Sequence, residues 1–436
     1  MADVVGSPWL AYAVLVIVTG ISRMRCGSWF APAAFVGMVW SFFTGASLAI
    51  VDYSLPGRGL WMLVVLIVVV QLGALIAHEL HPRSNAAITS DSSNTFDSLV
   101  GPCRRYGVIC TIVALLGCVY FLFTSIEEFG LQFTPLGVLE VGARWTLLRY
   151  DDVVEPWSVR LLVTWFHPAG LLGGVLFASS RNSRDRVIAA TTLLPAVFYG
   201  VLTGARAAIL LGLTCWIGGY IASQCVRSRN KVALFTGKRL ALLLFTAVCM
   251  VGMFASIDAI RATSWSQSFV LDIHEQKLSN YMLAPPAAFA NWYAHADVSS
   301  AEWGARTFAG EYGLLHLKTR IIGTYLEKAN LLGTESTNVY TIFRGLIEDF
   351  TAFGAALLGA CIGGLAGWIY SAGFRDEHKA LFWLSAFYAV FLFSPLGSLF
   401  SFNGAGLAWL VGWFVLIRSK GRSPLLTLSQ LAEQGT

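Results

Sequence analysis

Charge is scarce in this chain. Asp, Glu, Lys and Arg together make up 13% of its 436 residues, against about a quarter in soluble domains. With 56% hydrophobic residues and a mean hydropathy of +0.65, that scarcity excludes a water-soluble enzyme, a disordered chain and a nucleic-acid binder. Several catalytic signatures are lacking as well. There is no Gly-rich phosphate loop of the P-loop type, and no Asp-x-Asp pair to hold a metal–nucleotide sugar. His78 and His81 in HELH miss the i, i+4 spacing that puts two zinc ligands on one helix face. The cysteines fall in apolar runs or basic loops and none in a long polar arm, so neither a disulfide framework nor a thiolate metal site is expected. The opening MADVVGSP carries Asp3 and no basic residue, unlike the positive start of a cleavable signal. Its first apolar run is therefore expected to remain as a span. No cofactor is expected.

What the sequence has in abundance is long apolar runs. They recur near 8–22, 29–51, 60–78, 106–125, 159–179, 187–204, 207–224, 240–257, 341–370, 380–396 and 401–417. Such runs cross a ~30 Å hydrocarbon core, so about eleven spans are expected. An odd number puts the termini on opposite sides. Two long arms remain, 126–158 and 258–340, and the Ser-rich stretch 84–98 reads as a flexible inner loop. If the C-terminus is cytoplasmic, one set of loops collects Arg23, Arg25, Arg83, Arg104, Arg105, Arg181, Arg184, Arg186, Arg227 and the basic residues that follow. The short connections on the other side hold only Arg58 and Arg206. The positive-inside rule then places the N-terminus and both arms outside and the C-terminus inside. The expected fold is an all-α polytopic membrane protein, a single integral domain over 1–436.

Chemistry concentrates on the outer side. The 258–340 arm interleaves Arg261, His274, His295, Arg306, His316, Lys318 and Arg320 with Trp265, Trp292 and Trp303. Aromatic faces and hydrogen-bonding groups together suit a sugar, although interfacial tryptophans and solvated charges would look the same. Arg206 stands in VLTGARAAILLGL at a tight outer turn. There its fork of donors can grip a phosphate, or the side chain can snorkel to headgroups. In STNVYTIFRGLIEDFTAFG, the uncharged stretch 350–370 makes about 31 Å of helix at ~1.5 Å per residue. Arg344, Glu348 and Asp349 therefore sit at the outer lip of that span. Tyr340, Arg344 and Glu348 share a face at i, i+4, i+8, and Asp349 lies about 100° round from Glu348. One carboxylate can therefore pair with Arg344 while the other stays free to point into a cavity and act as a base. The same spacing also makes an ordinary structural pair. His167, beside Pro168, reads as a packing histidine.

Two stretches carry a family likeness. TGARAAILLGL resembles a short Gly-Ser-Arg turn, with Ala205 where Ser is usual. STNVYTIFRGLIEDFTAFG resembles an Asn-x-Tyr-Thr…Asp-Phe-Gly block, with Thr351-Ala352 set between Asp349-Phe350 and Phe353-Gly354. Both belong to the Wzy-type O-antigen polymerases, which join oligosaccharide repeat units at bacterial inner membranes; the span number and outer arms are similar too. The resemblance implies a metal-independent, membrane-embedded C-type glycosyltransferase. It would transfer a growing glycan from undecaprenyl pyrophosphate onto a new lipid-linked repeat unit, with inversion. On that reading Arg206 and Arg261 hold the pyrophosphate, and Glu348, Asp349 and His316 compete as the base. Arg344, Tyr340, Asn338, Arg306 and Arg320 would bind sugar hydroxyls or a second pyrophosphate. Expected partners are the lipid-linked donor and acceptor, membrane lipids and a chain-length regulator, with no nucleic acid. An O-antigen ligase and a lipid-linked oligosaccharide flippase or transporter are the alternatives.

Overall fold

The computed structural model describes residues 7–50, 55–81, 92–150, 155–228, 252, 254, 257, 283–296, 301–315, 325, 329–331, 335–372 and 377–417. Among these residues, eight helices are long and apolar enough to cross a membrane. The first four come from α1 (Pro8–Cys26), α2 (Pro32–Ile50), α3 (Gly57–Leu80) and α4 (Ser92–Phe129). Proline at the first position begins α1 and α2, where its missing N–H and fixed φ cost nothing. Helix α4 is 38 residues long and takes in residues 92–98, expected as part of a polar loop. In the first arm lies α5 (Pro135–Tyr150), which folds back on α4, where the buried Trp145 donates to Ser125 Oγ at 2.8 Å.

The next two runs each break once. The run 159–179 becomes α6 (Trp157–Val163) and α7 (Phe166–Ser179), and 187–204 becomes α8 (Ser183–Thr191) and α9 (Leu194–Thr203). Each break comes just ahead of a proline, Pro168 or Pro195, which lacks the N–H needed to continue the ladder. Helix α10 (Arg206–Ser228) follows at once. The run 240–257 lies almost wholly outside the described residues.

The second arm contributes α11 (Pro285–His295), a turn at 301–308, and α12 (Ala309–Leu314). It also holds a small antiparallel hairpin, β1 (Ala329–Leu331) with β2 (Glu335–Thr337), in which Ala329 faces Thr337. This hairpin of two three-residue strands lies outside the apolar runs of an otherwise helical protein. Then come α13 (Ile342–Ala372), α14 (Glu377–Phe393) and α15 (Asn403–Gly412), the last continued by a π turn at Trp413–Ile417. At 17 and 10 residues, α14 and α15 are shorter than full spans.

Helices α3 and α13 run parallel and nearly touch. A Cβ built on Gly363 or Gly367 would lie 2.1 Å from the carbonyl oxygen of Val70 or Ala74, so only glycine permits this approach. At the far end His78 Nδ1 meets Ser371 Oγ at 2.5 Å. The opposite end, where α3, α10 and α13 begin, is where the second arm docks. Ile17, Leu116 and Leu357 are exposed along the outer faces, as a lipid-facing surface requires.

Candidate functional site

Three segments meet at the start of α13: that helix's first turns, the arm turn 301–308, and the turn 394–402 between α14 and α15. The cause is a break in α13. Thr351 adopts φ 63 and ψ 172, a combination that costs a non-glycine residue on the order of 1–3 kcal/mol. The break leaves carbonyls of the preceding turn without helical partners. Glu348 O and Asp349 O instead accept the N–H groups of Glu302 and Trp303, each at 3.0 Å. The Asp349 side chain completes the joint, Oδ1 accepting Arg306 N–H at 2.9 Å and Oδ2 accepting Thr307 N–H at 2.6 Å. From the other side Ser398 Oγ donates to Thr307 O at 2.9 Å, and Ile342 N–H donates to Ser394 O at 2.9 Å.

Asp349 is fully buried and does not line the cavity at this junction. It was one of the candidates for the free carboxylate, yet both its oxygens hold backbone. Helical spacing alone could not show this, because the two donors come from a turn more than 40 residues earlier.

The cavity has a volume of about 80 Å³ and polar walls from Arg306, Tyr325, Asn338, Thr341, Ser398 and Ser401. Tyr340 and Phe393 add apolar surface. That volume holds on the order of half a dozen water-sized groups, enough for a phosphate or part of a sugar ring. Beside it, Arg344 is 3% exposed. Its guanidinium carbon lies 3.7 Å from the Tyr325 ring centre, 4.1 Å from that of Tyr340 and 5.0 Å from that of Trp292. Stacking of this kind on a desolvated cation contributes about 2 kcal/mol. Tyr340 precedes the helix rather than sharing its face, yet still reaches Arg344.

Glu348 lies between two guanidinium groups. Its Oε1 accepts Arg344 Nε at 2.9 Å, and its Oε2 is 3.6 Å from Arg306 Nε. Arg306 also binds Glu302 Oε1 through Nη2 at 3.2 Å. Burial, and then the Glu348 charge, push the Tyr325 hydroxyl well above the ordinary tyrosine range. Tyr325 therefore stays protonated and keeps a proton to donate.

Arg206 opens α10. Gly204, at φ 59, ends α9 in the left-handed conformation, which glycine adopts without strain, and so turns the chain into the new helix. Arg206 is 4% exposed and its guanidinium lies 5.7 Å from the Phe254 ring centre; its neighbour Ala207 lines the cavity. A side chain snorkelling to headgroups would be exposed, so burial removes that alternative. His167, 4% exposed, bonds Thr164 O through Nδ1 at 3.1 Å and packs on Gly404.

Arg306, Tyr340 and Asn338 thus line one cavity, Arg344 and Glu348 touch its lining residues, and Arg206 precedes the lining residue Ala207. Arg261, His316 and Arg320 lie outside the described residues. Tyr325, Thr341, Ser398 and Ser401 were not anticipated. The two serines sit where the last two apolar runs part, a signal that could have found them; Tyr325 carries none. Among the described residues no group of three His, Cys, Asp or Glu side chains is placed to hold a metal. No protein-family model, curated protein or solved structure matches this chain. The arrangement can bind an anion through preorganised guanidinium groups while hydroxyl and amide groups orient an uncharged polar ligand.

Proposed function

We propose that this multi-pass membrane protein polymerises undecaprenyl-pyrophosphate-linked oligosaccharide repeat units at the outer face of a bacterial inner membrane. In this reading the chain has about eleven spans, the N-terminus and both arms lie outside, and the C-terminus lies inside. The observation that carries the proposal is the cavity at the arm-bearing end, lined by Arg306 and by Ala207, the residue next to the buried Arg206.

The growing glycan sits on the donor pyrophosphate. A hydroxyl of the incoming lipid-linked unit attacks the donor's anomeric carbon, and the carbon–oxygen bond to pyrophosphate breaks. The bonding electrons leave with the pyrophosphate. Charge accumulating on that leaving group is stabilised by Arg306 and Arg206, which are already oriented and largely shielded from water. The family resemblance adds Arg261 to this pair, a residue outside the described ones. The attacking hydroxyl loses its proton to Glu348, whose side chain keeps 17% of its surface exposed; Asp349 instead fixes the backbone that carries Arg306. His316 remains a second candidate for the proton. Tyr325, Asn338, Ser398 and Ser401 offer hydrogen bonds to sugar hydroxyls, while Arg344 and Tyr340 hold the aromatic wall, with Arg320 further along the arm. One displacement with one base inverts the anomeric configuration. No step calls on a metal.

Replacing the gene by an R306A version tests this in cells. Lipopolysaccharide carrying a single repeat unit in place of a ladder supports the proposal. A full ladder removes Arg306 from the chemistry. Loss of every attached unit would mean a ligase, and accumulation of repeat units on the inner side would mean a transporter.

A further inference from the structure

At the end of the bundle away from the cavity, separate elements bring arginines together. Helix α10 sets the distance: from Arg206 to Arg227 it rises about 32 Å, at ~1.5 Å per residue. Near Arg227 lie Arg104 and Arg105 of α4, Arg181 of the α7–α8 connection, and Arg184 and Arg186 of the first turn of α8. The grouping is held by specific bonds. Arg227 Nη1 donates to Ala178 O at 2.9 Å, Arg186 Nε to Ser180 O at 3.2 Å, and Arg104 Nη1 meets Asp185 Oδ1 at 3.2 Å.

Asp185 is 5% exposed and is the carboxylate within this turn. It is engaged by Arg104 and by Ser180 Oγ at 3.4 Å. Arg105, Arg181 and Arg184 are exposed, with no carboxylate partner among the described residues. Three residues beyond Arg184, Val187 is 63% exposed, so an apolar surface begins one turn below the cations. Exposed guanidinium groups above a lipid-facing apolar surface match a phosphate joined to acyl chains.

We infer that this arginine cluster binds the headgroup phosphate of an anionic phospholipid, with Arg181 and Arg184 as its principal donors. The excess positive charge selects an anionic headgroup over a zwitterionic one, whose ammonium group the remaining arginines repel. This site is independent of the catalysis proposed at the opposite end.

Native mass spectrometry of the purified full-length protein tests it, with phosphatidylglycerol and phosphatidylcholine offered in equal amounts. The wild type is expected to retain phosphatidylglycerol, R181K/R184K to keep that preference, and R181Q/R184Q to bind it at least tenfold more weakly. Unchanged retention in R181Q/R184Q overturns the inference. A thermal melt distinguishes the source of the phosphate. Protection by phosphatidylglycerol but not by inorganic phosphate supports a lipid site, whereas equal protection by inorganic phosphate contradicts it.

Discussion

Glu348 and Asp349 are neighbours in sequence with opposite surroundings. Asp349 accepts one buried and one partly buried backbone N–H group, and a buried donor left unpaired costs about 1–3 kcal/mol. Asp349→Ala is therefore expected to destabilise the protein by about 2–4 kcal/mol, read as a lower melting temperature in detergent. Glu348→Gln keeps the shape but removes the charge between Arg344 and Arg306. Its fold is expected to persist while chain growth falls at least tenfold, measured as the length distribution of the glycan. If the two variants behaved alike, the division of labour between the carboxylates would be wrong. The residue types of this site were legible in the sequence because guanidinium and aromatic groups are unusual beside an apolar run. Their roles were not. Which carboxylate is occupied depends on a turn that returns from the arm, and Tyr325 meets Arg344 only through that chain reversal.

The break in α13 gives the site its shape. Hydropathy predicts an uninterrupted span from 341 to 370, and its interior contains no proline to mark a break. Thr351 itself, where the helix breaks, carries no such mark. Glycine adopts the backbone of Thr351 without steric strain. Thr351→Gly is thus expected to raise stability by about 1 kcal/mol; a lower melting temperature would show that the Thr side chain contributes more than its strained backbone costs. A second element-scale prediction concerns α12, which packs against the start of α15. Burial raises the Glu311 carboxyl above its ordinary value of 4.5. A raised carboxyl favours the folded state fully below the unfolded value, and that stability is lost as pH rises through the folded one. Melting temperature should accordingly fall as pH rises from 4.5 upward, and Glu311→Gln should flatten that fall. An unchanged slope in the variant would assign the pH dependence to other groups.

On the scale of the whole molecule, the membrane character was readable from composition, because a bilayer demands apolar length whatever the packing. The finer architecture was less so. Prolines divide two spans into shorter helices, the last two runs make helices of 17 and 10 residues before the closing π turn, and the first arm contains the helix α5. Only contacts reveal that the arm's 301–308 turn lies between α13 and the α14–α15 turn. The proposed arginine chemistry predicts that chelating divalent metals leaves chain growth unchanged; loss of growth that is restored by a metal would contradict it.

The most direct measurement reconstitutes the purified protein in liposomes with undecaprenyl-pyrophosphate-linked repeat units accessible to the face bearing the 258–340 arm. Products are then separated by gel. Wild-type protein is expected to build a ladder of joined units, with none formed by R206A or R306A protein present in the same membranes. The absence of a ladder from wild-type protein, or ladders of normal length from both variants, would contradict polymerisation at this cavity.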